Sequence, residues 1–257
     1  MRRLPFARLA VVCVFGFASV AFAASLPIKA PAASIAATNW TGWYAGINGG
    51  YAWGSNNDAS NDACTQLAGQ NMCSLYVARG GFPAIQMKPH GFIGGAQIGY
   101  NWQTANFVWG LETDFQGSGL GSSGSQTTTP PALITGTTTL EHELRWFGTA
   151  RGRLGVPVSN FLLYATGGLI YGDVGSSSTF SATAASGTGT SSSIRAGWAV
   201  GAGTELGLGP SWTVKLEYLY FDLGRDSVTA VAATGQTLTV SQEMAGHILR
   251  AGLNYRF

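Results

Sequence analysis

The segment Trp212-Thr213-Val214-Lys215-Leu216-Glu217-Tyr218-Leu219-Tyr220-Phe221-Asp222 decides the fold. Its even positions, Trp212, Val214, Leu216, Tyr218 and Tyr220, are apolar or aromatic, while Lys215 and Glu217 share the opposite parity. A period of two is the pattern of a strand with two different faces, and no helix reproduces it. The same alternation recurs upstream and downstream. Trp43, Ala45, Ile47, Gly49, Tyr51 and Trp53 form one stripe. Phe107, Trp109, Leu111, Thr113 and Phe115 form another, and Leu249, Ala251, Leu253, Tyr255 and Phe257 a third. Eight segments read this way: 43–54, 91–103, 107–116, 140–156, 161–174, 194–208, 212–222 and 244–257. No proline lies in the central part of any of them, as ladder hydrogen bonding requires.

The connections alternate in length. Those at 104–106, 157–160 and 209–211 are tight, whereas 55–90, 117–139, 175–193 and 223–243 are long, Ser/Thr/Gly-rich and expected to be mobile loops. An even number of strands with short turns at one end and long connections at the other predicts an all-β, eight-stranded antiparallel up-and-down transmembrane β-barrel. Composition agrees. Only 10% of the 257 residues are charged and 37 are glycine, against roughly 25% and 7% in soluble domains. Such a chain is neither a disordered tail nor a coiled coil, and it lacks the charged surface of an ordinary soluble enzyme. It also holds no run of about 18 apolar residues that could cross a bilayer as a helix.

Alternation alone does not say whether the apolar face meets lipid or a core. The aromatics decide for lipid, because they collect at the stripe ends. Trp43, Trp102, Phe107, Trp212, Tyr255 and Phe257 lie toward the short turns, and Trp53, Phe92, Phe115, Trp146, Tyr171, Trp198 and Tyr220 toward the long connections. Rings favour the headgroup region, so two girdles are expected. The other face is glycine plus charge: Glu112, Asp114, Glu141, Glu143, Arg145, Arg151, Arg153, Arg195, Glu205, Lys215, Glu217, Arg250 and Arg256. Seven basic and six acidic groups in a narrow lumen are expected to pair, since an unpaired buried ion is expensive. A plug made of these pairs is the first reading. A narrow ion path whose selectivity they tune is the alternative.

Arg2, Arg3 and Arg8, an apolar stretch and Ala21-Phe22-Ala23 read as a cleaved signal peptide over 1–23. Residues 24–39 read as a Pro/Ala-rich periplasmic leader and 40–257 as the barrel. Removal of the three arginines leaves 11 of the 14 basic residues against 12 acidic ones, a balance that gives no reason to expect nucleic acid. Cys64 and Cys73 in an exported chain read as a disulfide closing the first long loop. No catalytic, cofactor or metal site is expected. Strict alternation puts His142 on the face opposite Glu141 and Glu143, His90 reads as interfacial, and His247 lies on the lipid-facing parity with no serine in the matching positions. Gly121-Ser122-Ser123-Gly124 sits in a low-complexity stretch and not at a strand-to-helix elbow.

A terminal Phe257 with Tyr255 two residues earlier resembles the C-terminal signal that the barrel-assembly machinery reads in Gram-negative outer-membrane barrels. Leu26-Pro27-Ile28-Lys29-Ala30-Pro31 and Asn39-Trp40-Thr41-Gly42-Trp43-Tyr44-Ala45-Gly46 are similar to the small outer-membrane β-barrel (outer-membrane immunogenic protein) family of alphaproteobacteria. Leu163-Tyr164-Ala165-Thr166-Gly167-Gly168, the run from Gly94 to Gln103, and the run from Leu216 to Gly224 carry the likeness further, over essentially the whole mature chain. The resemblance implies an OmpA-like barrel in the outer membrane, in contact with lipid and lipopolysaccharide. The implied role is envelope integrity and surface antigenicity; the lumen charges leave a small porin as the alternative, and the residues themselves give no enzyme activity to expect.

Overall fold

A computed structural model describes residues 38–55, 57–64, 66–67, 70–71, 85–128, 136–182, 185–232 and 237–257. Among the described residues twelve strands follow one another: β1 (Gly42–Gly54), β2 (Asn57–Cys64), β3 (Gln66–Leu67), β4 (Gln70–Asn71), β5 (Ile85–Met87), β6 (His90–Thr104), β7 (Phe107–Thr128), β8 (Gly136–Val158), β9 (Phe161–Ala182), β10 (Ala185–Gly207), β11 (Trp212–Ala232) and β12 (Thr237–Arg256). Eight of them, β1 and β6 to β12, pair antiparallel with their neighbours in chain order, and β1 pairs with β12 to close the ring. Within the ring closure leaves no open edge, the condition for a sheet to stand in hydrocarbon, while β2 and β5 extend the sheet from β12. The signal-peptide and leader assignments over residues 1–37, and Cys73, lie outside the described residues.

The apolar stripes face outward. Ile47, Leu111, Leu169 and Leu216 are 67%, 61%, 64% and 51% exposed, while their neighbours Asn48, Glu112, Ile170 and Glu217 are buried. Trp43, Tyr100, Trp102 and Trp109 make a chain of ring contacts at the short-turn end, the last two stacked at 4.2 Å. At the other end Phe115 stacks on Trp146, Trp146 meets Tyr171, and Trp198 meets Tyr220. Trp212 and Tyr220 are eight residues apart on β11, and Trp43 and Trp53 ten apart on β1. At about 3.3 Å per residue and a tilt of about 40°, the girdles are roughly 20–25 Å apart, one apolar band of an outer membrane.

The structure corrects two expectations. Three of the long connections, 117–139, 175–193 and 223–243, are strand over most of their length among the described residues. Residues 117–128 pair with 136–146, and 175–182 with 185–192, so the antiparallel ladders extend above the girdle. Their Ser and Thr alternate like the rest, and Thr suits a pleated surface, so the ladder continues past the membrane. The second correction concerns β8. Its register against β9 shifts between Leu144 and Trp146, where Arg145 is an extra residue. A bulge exchanges the two faces of the strand beyond it. Glu141, Glu143 and Arg145 therefore point outward, and Leu140, His142 and Leu144 turn into the lumen.

Candidate functional site

The lumen is filled at three levels. At the short-turn end Trp40, Val108, Leu162 and Tyr164 form a buried apolar cluster. Trp40, just before β1, is held by its backbone N–H donating to Gln103 Oε1 at 2.8 Å. Arg256 lies over its ring at 5.4 Å and donates to the carbonyls of Asn39 and Pro210. Arg256 thus closes the barrel end and does not join the ion pairs above it.

The middle level is ionic. Four acids (Glu112, Asp114, Glu205, Glu217) and four bases (Arg151, Arg153, Lys215, Arg250) are all buried. Glu112 is the hub. Its carboxylate accepts from Arg151 Nη2 at 2.6 Å, Lys215 Nζ at 2.9 Å and the Tyr44 hydroxyl at 2.8 Å. Asp114 takes Arg250 at 2.9 Å, Arg151 at 3.1 Å and the Thr149 hydroxyl at 2.8 Å. Arg250 also binds Glu217 at 2.6 Å, and Tyr164 donates to the same carboxylate at 2.9 Å. Lower down, Glu205 accepts from Arg153 at 2.8 Å, from Asn254 at 3.0 Å and from Thr213. Arg153 lies 4.1 Å over the ring of Tyr164 and donates to the Tyr44 hydroxyl at 2.9 Å. Equal numbers of charges and several hydrogen bonds per ion are what makes a desolvated cluster tolerable.

Interior glycines make this density possible. A Cβ on Gly203 would stand 2.6 Å from the Tyr164 hydroxyl, one on Gly252 3.2 Å from Lys215 Cγ, and one on Gly99 would collide with the Tyr44 hydroxyl. The glycine positions are where long side chains from neighbouring strands cross. Above the ions lies a third level, an apolar layer that includes Phe147, Ile170, Val174, Leu219, Phe221, Met244 and Ile248.

Of the thirteen charges assigned to the lumen by alternation, the eight named above meet there. Arg195 is half-buried near the long-hairpin end, where its Nε donates to Ser193. Glu141, Glu143 and Arg145 are on the outer wall. Arg145 contacts Asp173 at 3.1 Å and Glu143 at 3.5 Å. His142 is hydrogen-bonded to Ser176 across β8 and β9 at 2.9 Å, both side chains buried and facing inward. His247 faces out, bonded to the Tyr218 hydroxyl at 2.7 Å and stacked on Trp53. His90 is exposed, its Nδ1 2.9 Å from the Lys88 carbonyl. Tyr255 and Phe257 end the outward stripe of β12 in edge-to-face contact. Alternation did not single out Tyr44, Tyr164 or Trp40. Part of the signal was available for the two tyrosines, which occupy inward parity, Tyr44 between Gly42 and Gly46, whereas the glycines beside Tyr164, Gly155 and Gly203, are set by the register.

A closed antiparallel ring, an apolar exterior banded by aromatics and a polar interior define a transmembrane β-barrel of the outer-membrane type. The chain belongs to the outer membrane protein beta-barrel domain family, whose model matches residues 15–257, and it is an outer-membrane protein. It is 38% identical over 251 residues to the 31 kDa outer-membrane immunogenic proteins of Brucella melitensis and Brucella suis, covering 94% of this chain and 95% of each relative. Among solved structures, the outer membrane protein OprG from Pseudomonas aeruginosa aligns over 86% of this chain and 98% of its own, with a TM-score of 0.48 and 12% identity.

Proposed function

We propose that this barrel is a structural, non-catalytic component of the outer membrane whose lumen is a plug and whose long hairpins are presented at the cell surface. The observation that carries this reading is the stacked filling: an aromatic stopper, a charge-balanced network and an apolar layer succeed one another along the axis. A hydrated ion would have to displace paired ions and then cross side chains that offer no polar contact. The relatives named as immunogenic proteins favour surface display. The His142–Ser176 pair reads as structural, because both groups are more than nine-tenths buried and the flanking Glu141 and Glu143 point to the other face. Cys64 and Cys73 pair in the first long loop, and Tyr255 and Phe257 address the chain to the barrel-assembly machinery.

The test is single-channel conductance of refolded protein in a planar bilayer, with heat-modifiable gel migration verifying folding of the same sample. Silence from folded protein is expected. Steady, reproducible current steps would make the chain a small porin, with the network as its selectivity element.

A further inference from the structure

The outer wall carries a polar groove of about 770 Å³ just above the upper aromatic girdle, within the roughly 300–1,000 Å³ range of ligand pockets. Register defines it. His90, Gly121, Glu143, Gly175 and Ser192 are successive cross-strand partners from β6 to β10, so they form one row on one face. Ser123, Glu141, Ser177 and Thr190 form the next row above. Exposure of His90, Ser123, Glu141, Glu143, Thr190 and Ser192 puts both rows on the outside of the barrel. One row below, Gly117, Trp146 and Asp173 are partners, and Trp146 belongs to the girdle.

Height, chemistry and shape agree on an occupant. The groove begins where the hydrocarbon ends, so it faces headgroups. Its wall combines serine and threonine hydroxyls, which donate and accept, with two acceptor carboxylates and one guanidinium, a set that matches neighbouring sugar hydroxyls. Arg145 is held in place: its Nη2 donates to Ser192 at 2.6 Å, its Nε meets Asp173 at 3.1 Å, and Ser192 donates to Asp173 at 2.9 Å. The floor is glycine. The atoms nearest to a Cβ on Gly121 would be His142 O at 3.5 Å and Glu143 Cβ at 3.7 Å, ordinary contacts that leave room for a side chain, while Gly175 lies beneath Glu143 and Arg145. We infer that this groove is a saccharide site that takes the sugar headgroup of an outer-leaflet glycolipid. The inference rests on the long hairpins being the surface end of the barrel, and not on whether the lumen conducts.

The experiment titrates detergent-folded full-length protein with rough lipopolysaccharide and follows bound lipid by native mass spectrometry. Delipidated core oligosaccharide and phosphatidylglycerol serve as competitors. Two variants probe the site: Gly121→Leu, which fills the floor without a backbone clash, and the exposed double change Glu141→Gln with Glu143→Gln, which leaves the fold's buried contacts intact. The expected result is competition by the oligosaccharide but not by phosphatidylglycerol, and about a tenfold or greater loss of apparent affinity in each folded variant, the factor that one lost charge-assisted hydrogen bond corresponds to. Wild-type binding by either folded variant, or equal competition by phosphatidylglycerol, would overturn the site and reduce the association to an ordinary lipid shell. A conducting lumen would leave this result untouched.

Discussion

Arg151 is the residue whose removal tests the lumen most directly. Its guanidinium approaches Glu112 at 2.6 Å, Asp114 at 3.1 Å and Glu217 at 3.3 Å, and its Nε donates to Thr149 at 3.0 Å. Arg151→Met keeps most of the volume but leaves four buried acids with three bases. Breaking a buried pair from one side costs about 3–5 kcal/mol, a large share of a total stability of roughly 5–15 kcal/mol. Asp114→Asn removes the opposite sign. The double variant restores balance at three against three, so its cost falls below the sum of the singles by about 0.5–3 kcal/mol. Arg225→Met is the control: its partner Glu243 is 3.8 Å away, Arg225 is largely and Glu243 about half exposed, so the change costs at most about 1 kcal/mol. Urea unfolding in detergent micelles, followed by tryptophan fluorescence, measures all four. The electrostatic account fails if Arg151→Met unfolds within about 1 kcal/mol of wild type, or if the double variant is simply additive.

Leu216 lies midway between Trp212 and Tyr220 and faces out. Leu216→Arg should cost about 2–4 kcal/mol in lipid vesicles and Trp212→Arg no more than about 1, a depth dependence that a water-facing surface would not produce. Phe147→Ala empties part of the apolar layer and should cost about 3–5 kcal/mol, read by the same urea curves; a near-neutral result would mean the layer is loosely packed. Deleting Phe257 should reduce assembly in cells, seen as loss of the heat-modifiable folded band, and a normal band would remove its role as a signal. Closure of the first loop by Cys64 and Cys73 should appear as one linked peptide in non-reducing maps and add about 2–3 kcal/mol by loop entropy. Two free thiols in oxidised protein would end that assignment.

Much of this architecture was legible because a barrel wall reports its faces residue by residue. Between the girdles each residue is either in lipid or in the lumen, and Trp43 to Trp53 or Trp212 to Tyr220 can be read off by counting. Contacts inside the lumen were not legible. That Arg151 reaches three acids from β7 and β11 depends on barrel curvature, which brings together residues as far apart as Asp114 and Arg250. Nor does counting reveal a bulge. Arg145 looks like one more member of an alternating series with Arg151 and Arg153, and only the register against β9 exposes it as an extra residue.

The position of that bulge follows from the solvent. Between the girdles the outside of the wall is hydrocarbon, so alternation must run apolar outward. Above Trp146 the outside is polar, first headgroups and then water, and the favourable arrangement is the reverse. One inserted residue on β8 inverts the pattern, sending Glu141, Glu143 and Arg145 out while Leu140 and Leu144 turn in, with Leu144 packing beside Phe147. On β11 the register shifts between Asp222 and Arg225, just above Tyr220. Gly224 has φ +75 there, and its N–H is held by the Asp222 carboxylate at 2.7 Å. Leu223 stays inside, and Arg225 emerges toward Glu243. β9 needs no such device, because the outward positions above Tyr171 are already Asp173, Gly175 and Ser177. A bulge thus occurs where unbroken alternation would turn leucine outward above the membrane edge, as on β8, or a charge inward, as at Arg225 on β11, and the β8 inversion that completes the lumen's apolar layer supplies the carboxylates and guanidinium of the outer groove.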